Sequence, residues 1–486
     1  MAKPGSLVDL ALDTLAKYVY MLCVSLKSVT EAEIINRQLS HMIAKFVPIT
    51  VADKMTNAIL QSLDHWIHED GREKINTVVF ELLVKSIIHP AVTRIEPAEN
   101  IVDIPNICQL HGFYNWCSAI AIIKNIHLFH NLKALNVLSE RTSYIVYHTI
   151  RFPEQLVEFS GSCTDKTVSK LAKSCKSLKV LNIQGRLSDK SVKSILKMEH
   201  LVKLDISRTN ISNVGITKFL TEYTKKHGNA YALRFLMVDV LTIEHINMIT
   251  ERLPDVKVII YEYLYKHAGI ECYVSSNFHN LIGLDITTKL IDLNLLLHIV
   301  GKQLIYLSVR VEDTLNTHHE FEISDIISIG KLCRRLTLFK ISWFSKRCPR
   351  LIDTVEDPLP GFHTISNLMV NIEFDMYDNI QDVVKKILKF LLFHCVNVKK
   401  VMLPIAWCIF SSHEFVRMSC MKNIEELYLS MWCDLCDIHD QQENDEDYEV
   451  QMLIDNCPNL RFVKGVPGLD INGSRNTQRL KFSSIY

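Results

Sequence analysis

No run of about 18 uninterrupted apolar residues occurs in this sequence, so no membrane-spanning helix is expected. The N-terminal stretch comes nearest, but Asp9, Asp13, Lys17 and Lys27 break it, too often for a signal-peptide core. Net charge is also lacking: 54 Lys+Arg balance 54 Asp+Glu. Nucleic-acid binding draws on a basic surface, and this balance offers it no support. There is no P-loop, no G-x-G-x-x-G and no G-x-S-x-G. The 20 histidines are scattered, His127, His130 and His200 at repeat edges and His318 and His319 in a loop. Nothing pairs a nucleophile with a base. The expectation is a protein that is not an enzyme and needs no cofactor.

The 14 cysteines form no compact framework. Several stand just before a leucine, as Cys175 before Leu178 and Cys457 before Leu460. They read as small buried hydrophobes in a reducing compartment, which points to the cytoplasm or nucleus. Cys433, Cys436 and His439 have zinc-like spacing but no further pair at a usual distance, so no metal site is expected. The acidic run from Glu443 to Asp447 reads as a solvated insertion.

What the chain has is a repeat. With 486 residues, 48% of them hydrophobic, it can bury a large core, but not one compact core. An apolar residue, two variable residues, a second apolar residue, one variable residue and a third apolar residue recur. Leu132, Leu135 and Val137 make one copy; Leu178, Leu181 and Ile183 make another. Copies begin at 132, 178, 201, 233, 281, 304, 336, 365, 398, 424 and, degenerate, at 460, with weaker ones at 156 and 256. Most steps are about two dozen residues, the period of a leucine-rich repeat; longer steps imply insertions, one of them over Glu312 to Glu320.

Each apolar triplet suits a short strand with alternate residues turned inward. A helical stretch follows. Val168, Leu171, Ala172 and Cys175 share one helical face, and Thr164 or Asp165 would cap that helix. Ser188, Asp189, Val192, Ile195 and Leu196 repeat the arrangement. Stacking buries both faces. The expected fold is therefore α/β, a leucine-rich-repeat solenoid (horseshoe) over residues 101–468. An N-terminal helical region over 1–100 and a C-terminal tail over 469–486 flank it. Variable strand positions would line a concave binding surface: Lys179, Asn182 and Gln184; Lys203, Asp205 and Ser207; Tyr306, Ser308 and Arg310. The sequence does not say which of these touch a substrate.

The strand followed by "(S/T)D-x-x-(V/I)-x-x-L…C-x-x-L" resembles the cysteine-containing leucine-rich repeat of F-box and related ubiquitin-ligase receptors, most clearly between Leu156 and Ile206. The N-terminal segment reads as helices starting near Ser6, Glu31, Val51 and Glu73. Ser6, Leu7, Ala11 and Leu15 are similar to a BC box, although the box usually has Cys where Ala11 stands. Val47, Pro48, Val51 and Met55 resemble a cullin box. Together these features resemble the Zyg/Zer family of elongin-dependent receptors. That resemblance implies a substrate-recognition subunit of a cullin–RING ubiquitin ligase. Its N-terminal helices would bind the elongin B–elongin C adaptor and the cullin scaffold, and its repeats a protein substrate. The family's armadillo-like domain has no room here, so its substrate-binding residues do not carry over. Two other readings stay open. Residues 47–55 also resemble an F-box opening, which would imply a Skp-type adaptor, and residues 1–100 could be a plain cap on a protein-interaction scaffold with no ligase link. An adaptor-binding α-helix must show an apolar stripe to solvent, whereas a cap would pack it away.

Overall fold

In the computed structural model, the structure describes residues 4–26, 28–70, 76–95, 116–137, 151–228, 231–239, 241–261, 278–288, 290–312, 323–345, 359, 361–374, 380–403, 418–429, 455–464 and 481–483. The chain divides into two compact units, Met1–Val258 and Ile259–Tyr486.

The first unit begins with helices α1 (Pro4–Ser25), α2 (Val29–Phe46), α3 (Ala52–Asp70) and α4 (Thr77–Ile87). Here α1 packs on α3, and α2 on α4. Ser28 caps α2, and Pro48 opens a 3-10 turn, Ile49–Val51, that separates α2 from α3. The carboxylate of Asp53 on α3 accepts the Thr93 N–H and hydroxyl, both at 2.6 Å, and the Arg94 N–H at 3.2 Å. This joins the helices to the first strand, β1 (Arg94–Ile95).

After α5 (Trp116–Asn125) the repeats follow: β2 (Ala134–Val137), β3 (Glu158–Ser162), α6 (Asp165–Ser174), β4 (Val180–Gln184), α7 (Val192–Ile195), β5 (Lys203–Asp205), α8 (Asn213–His227), β6 (Phe235–Val238) and α9 (Ile243–Arg252). From β1 to β6 every strand pairs in parallel with the next in chain order. A further strand, β7, runs Lys257–Tyr261. The second unit repeats this pattern through β8 (Leu281–Thr288), β9 (Tyr306–Glu312), β10 (Leu338–Ser345), β11 (Asn367–Phe374), β12 (Lys400–Leu403), β13 (Glu426–Leu429), β14 (Phe462–Lys464) and β15 (Lys481–Ser483). They too pair in parallel in chain order. Helices Leu290–Val300, Ile323–Leu332 and Ile380–His394 lie between strands.

A strand follows every repeat start named above, and every starting apolar residue, from Leu132 to Leu460, is buried. Parallel strands paired in chain order, many of them joined by helical crossovers, make this an α/β leucine-rich-repeat solenoid. Two strands were not expected. β1 precedes the first visible repeat, and β15 lies in the segment read as a tail. Neither carries the full apolar triplet, so the pattern could not show them.

Side chains on the turns reinforce the ladder. The amides of Asn131, Asn397, Asn423 and Asn459 each donate to a carbonyl of the preceding turn: Pro90, His363, Val396 and Lys422. Seven described cysteines are free and buried, including Cys175 and Cys457. Burial pushes both thiols up to about 12, which suits packing and not reactivity.

Candidate protein-interaction surfaces

All four BC-box-like positions fall on α1, whose first turn contains Pro4. Proline suits a first turn because its missing N–H would be unsatisfied there anyway. Ser6 therefore lies inside the helix and does not cap it. The side chains of Ser6 and Leu7 are outside the described set. Ala11 is exposed and Leu15 half-buried. The buried residues of α1 are Ala16, Val19, Tyr20 and Cys23. At about 100° per residue these centre on one side, whereas exposed Ala11 and Tyr18 and half-buried Leu22 centre on the other. Tyr18 and Met21, 55% and 54% exposed, extend this second side along the helix. So α1 presents an apolar stripe to solvent opposite its packed face.

The cullin-box-like residues part company. Val47, half-buried, ends α2, and its carbonyl lies 3.2 Å from His89 Nε2. Pro48 and Val51 are exposed. Met55 is 6% exposed and belongs to the core, which corrects its assignment to a partner surface. It lies on the first turn of α3, the helix that packs on α1. Ile49, 73% exposed, stands out in its place.

On the sheet, the variable positions within the strands alternate onto the face away from the leucines, but most are not freely accessible; Lys179 precedes β4 and is not among them. In the first unit Asn136, Ser160, Asn182, Asp205 and Met237 are neighbours across successive strands. Asn182, Gln184, Asp205, Ser207, Tyr306 and Ser308 are all buried; Lys203 and Arg310 are half-buried and Lys179 is exposed. The reason is spacing. Strands about 4.8 Å apart bring equivalent side chains into contact, and each covers its neighbour. The floor is thus a packed, mainly polar ladder with longer side chains rising from it. Asp205 accepts the Ser207 N–H at 3.0 Å and its hydroxyl at 2.5 Å. Burial raises its carboxyl to about 7 against the pull of those bonds. Arg208 beside it has a left-handed backbone, φ 61°, and donates its N–H to Asp239 at 2.8 and 3.0 Å. In the second unit Lys400 pairs with Glu426 at 3.1 Å, and Tyr428 donates to the same carboxylate at 3.0 Å.

Cys433, Cys436, His439, the acidic run 443–447 and His318–His319 lie outside the described residues. Among the described residues no group of three or more His, Cys, Asp or Glu side chains could hold a metal ion, and no helix is long and apolar enough to cross a membrane. His127, His130 and His200 are exposed. The sequence reading passed over His245, which is buried within a helix cap. Its Nδ1 accepts the Thr242 N–H at 3.1 Å and its Nε2 lies 2.7 Å from the Thr217 hydroxyl.

No family model and no curated protein matches this chain. Among solved structures it is similar to the Rad7 and Elc1 complex from yeast. That match has 14% identity and a TM-score of 0.36, and covers 94% of this chain and 98% of that one. It is also similar to an internalin, InlF, from Listeria monocytogenes, at 13% identity and a TM-score of 0.28, covering 74% of this chain and 88% of that one. The class rests on the ladder itself: this is a leucine-rich-repeat protein.

Proposed function

We propose that this chain is a non-enzymatic, cytoplasmic or nuclear substrate-recognition subunit of a cullin–RING ubiquitin ligase. In this reading α1 docks on the elongin B–elongin C adaptor, the exposed turn at Pro48 and Val51 approaches the cullin, and the repeats hold a protein substrate. The observation that supports it is the solvent-facing apolar stripe of α1. An amphipathic helix laid into a hydrophobic groove needs such a stripe, with a small residue one turn after the leading leucine. Ala11 supplies the small residue, and it is exposed. The packed side of α1 is already occupied by the core, so the stripe is available without unfolding anything.

The test is co-purification of tagged full-length protein with elongin B and C. Wild type is expected to bring both down. Leu7→Asp and Ala11→Trp are expected to lose them while keeping the wild-type melting temperature, Ala11 being exposed. A wild-type chain that recovers neither elongin sinks this reading and leaves the plain scaffold.

A further inference from the structure

Helix α2 shows large apolar side chains to solvent, Ile34 and Met42 on the side away from its buried residues and Phe46 nearer to them. Its buried residues are Ala32 and Ile43. Ile34 and Met42 are each 54% exposed, and Phe46 is 67% exposed. The Lys45 ammonium lies 5.2 Å from the centroid of the Phe46 ring. On a folded surface, large apolar side chains grouped in this way mark an interface.

The pattern on this face is symmetric about Gln38. Ile34 and Met42 stand four residues to either side of it, Glu31 and Lys45 seven. At about 100° per residue all five lie within an arc of about 80°, and all five are exposed. Apolar residues therefore match apolar residues across the midpoint, and a negative charge matches a positive one. That is the arrangement a helix needs to complement itself when turned end for end.

We propose that α2 is a homodimerisation helix, two copies of the chain pairing antiparallel about Gln38. Ile34 of each copy then packs beside Met42 of the other, and Glu31 of each lies beside Lys45 of the other. The contact is isologous, so each interaction occurs twice. A parallel pairing would set Glu31 against Glu31 and Lys45 against Lys45, and like charges facing each other are destabilising. An unrelated partner would not require the opposite charges to sit at equal distances from one residue; a second copy does. The face is on a different helix from the adaptor stripe of α1, so the two proposals stand or fall separately.

Sedimentation equilibrium of the full-length chain tests it. With rising concentration the mass is expected to approach twice the 56.0 kDa of one chain. Ile34→Asp combined with Met42→Asp is expected to give a monomer with unchanged circular dichroism. Both positions are solvent-exposed, so the fold should tolerate them. Glu31→Lys is expected to weaken dimerisation about tenfold, because it converts two attractive contacts to repulsive ones. Adding Lys45→Glu should restore it. Gln38→Cys, placed on the symmetry axis, should crosslink to itself on mild oxidation. A wild-type chain that stays at 56.0 kDa at every concentration overturns the proposal. So does a dimer that ignores the double aspartate substitution, or one in which the reversed pair fails to restore what Glu31→Lys removed.

Discussion

The carboxylate of Asp165 accepts both the backbone N–H and the hydroxyl of Ser188, at 2.9 and 2.6 Å, although Ser188 belongs to the next repeat. Ser188 is itself the cap of the following helical turn. Asp189 does the same for Ser212, at 2.8 and 2.7 Å, and Ser212 caps α8. Each cap is thus held by the acidic residue of the repeat before it. Helix capping, a local device, here doubles as a clamp between repeats.

Replacing Asp165 with alanine is therefore expected to destabilise by about 1–3 kcal/mol, more than an isolated cap, because Ser188 and Ser191 both lose an acceptor. Hydrogen exchange should rise in α6 and α7 first. Burial alone would raise the Asp165 carboxyl, but the hydrogen bonds from Ser188 and Ser191 outweigh it and hold it below the usual range. A lowered folded value gives stability that is present above the unfolded value of 3.8 and is lost as pH falls through the folded one. Asp165→Asn should flatten that acid loss. Equal acid sensitivity in wild type and Asp165→Asn would contradict the clamp.

This clamp shows what the sequence could and could not reveal. The strands were legible because leucines at a fixed spacing report a structure that repeats. The helix face of Val168, Leu171, Ala172 and Cys175 was legible for the same kind of reason, and all four are buried. Thr164 was readable as a cap, with Thr167 completing a capping box. The partner of Asp165 was not readable, since its target stands 23 positions away and comes near only once repeats stack. At the N-terminus, motif spacing placed Met55 on a partner surface although α3 turns it inward. Spacing along a chain reports which residues share a face, not which side of the protein that face meets. The exposed face of α2 went unseen because it forms no named motif.

Gly215 owes its identity to the second clamp. A Cβ at this position would run into the Asp189 carboxylate and lie 2.8 Å from Ile211 Cγ2, closer than packed carbons allow. Asp189 cannot retreat without releasing Ser212. Gly215→Ala is expected to destabilise by about 1–3 kcal/mol, although alanine favours helices. In a double-mutant cycle with Asp189→Ala the two effects should be strongly non-additive, because the second substitution removes the obstacle. Additive effects within error would show that the carboxylate is not what excludes the methyl group.

Asp205 makes the opposite pH prediction from Asp165. Its carboxyl is buried in the packed floor of the sheet, and burial raises it to about 7, with nearby Asp239 adding to the rise while Ser207 and Arg208 oppose it. A raised folded value gives stability that is fully present below the unfolded value of 3.8 and is lost as pH climbs through the folded one. Between pH 5 and 8 the wild-type repeats around β5 should therefore soften. Asp205→Asn keeps an oxygen to accept from Ser207 and carries no charge to bury. It is expected to be more stable than wild type at pH 8, by on the order of 1–3 kcal/mol, and to lose that advantage near pH 5. Denaturant unfolding of both proteins across this range, with hydrogen exchange at β5, reads the difference directly. If the two curves stay parallel from pH 5 to 8, Asp205 is charged throughout and the floor of the sheet is more open to water than its packing indicates.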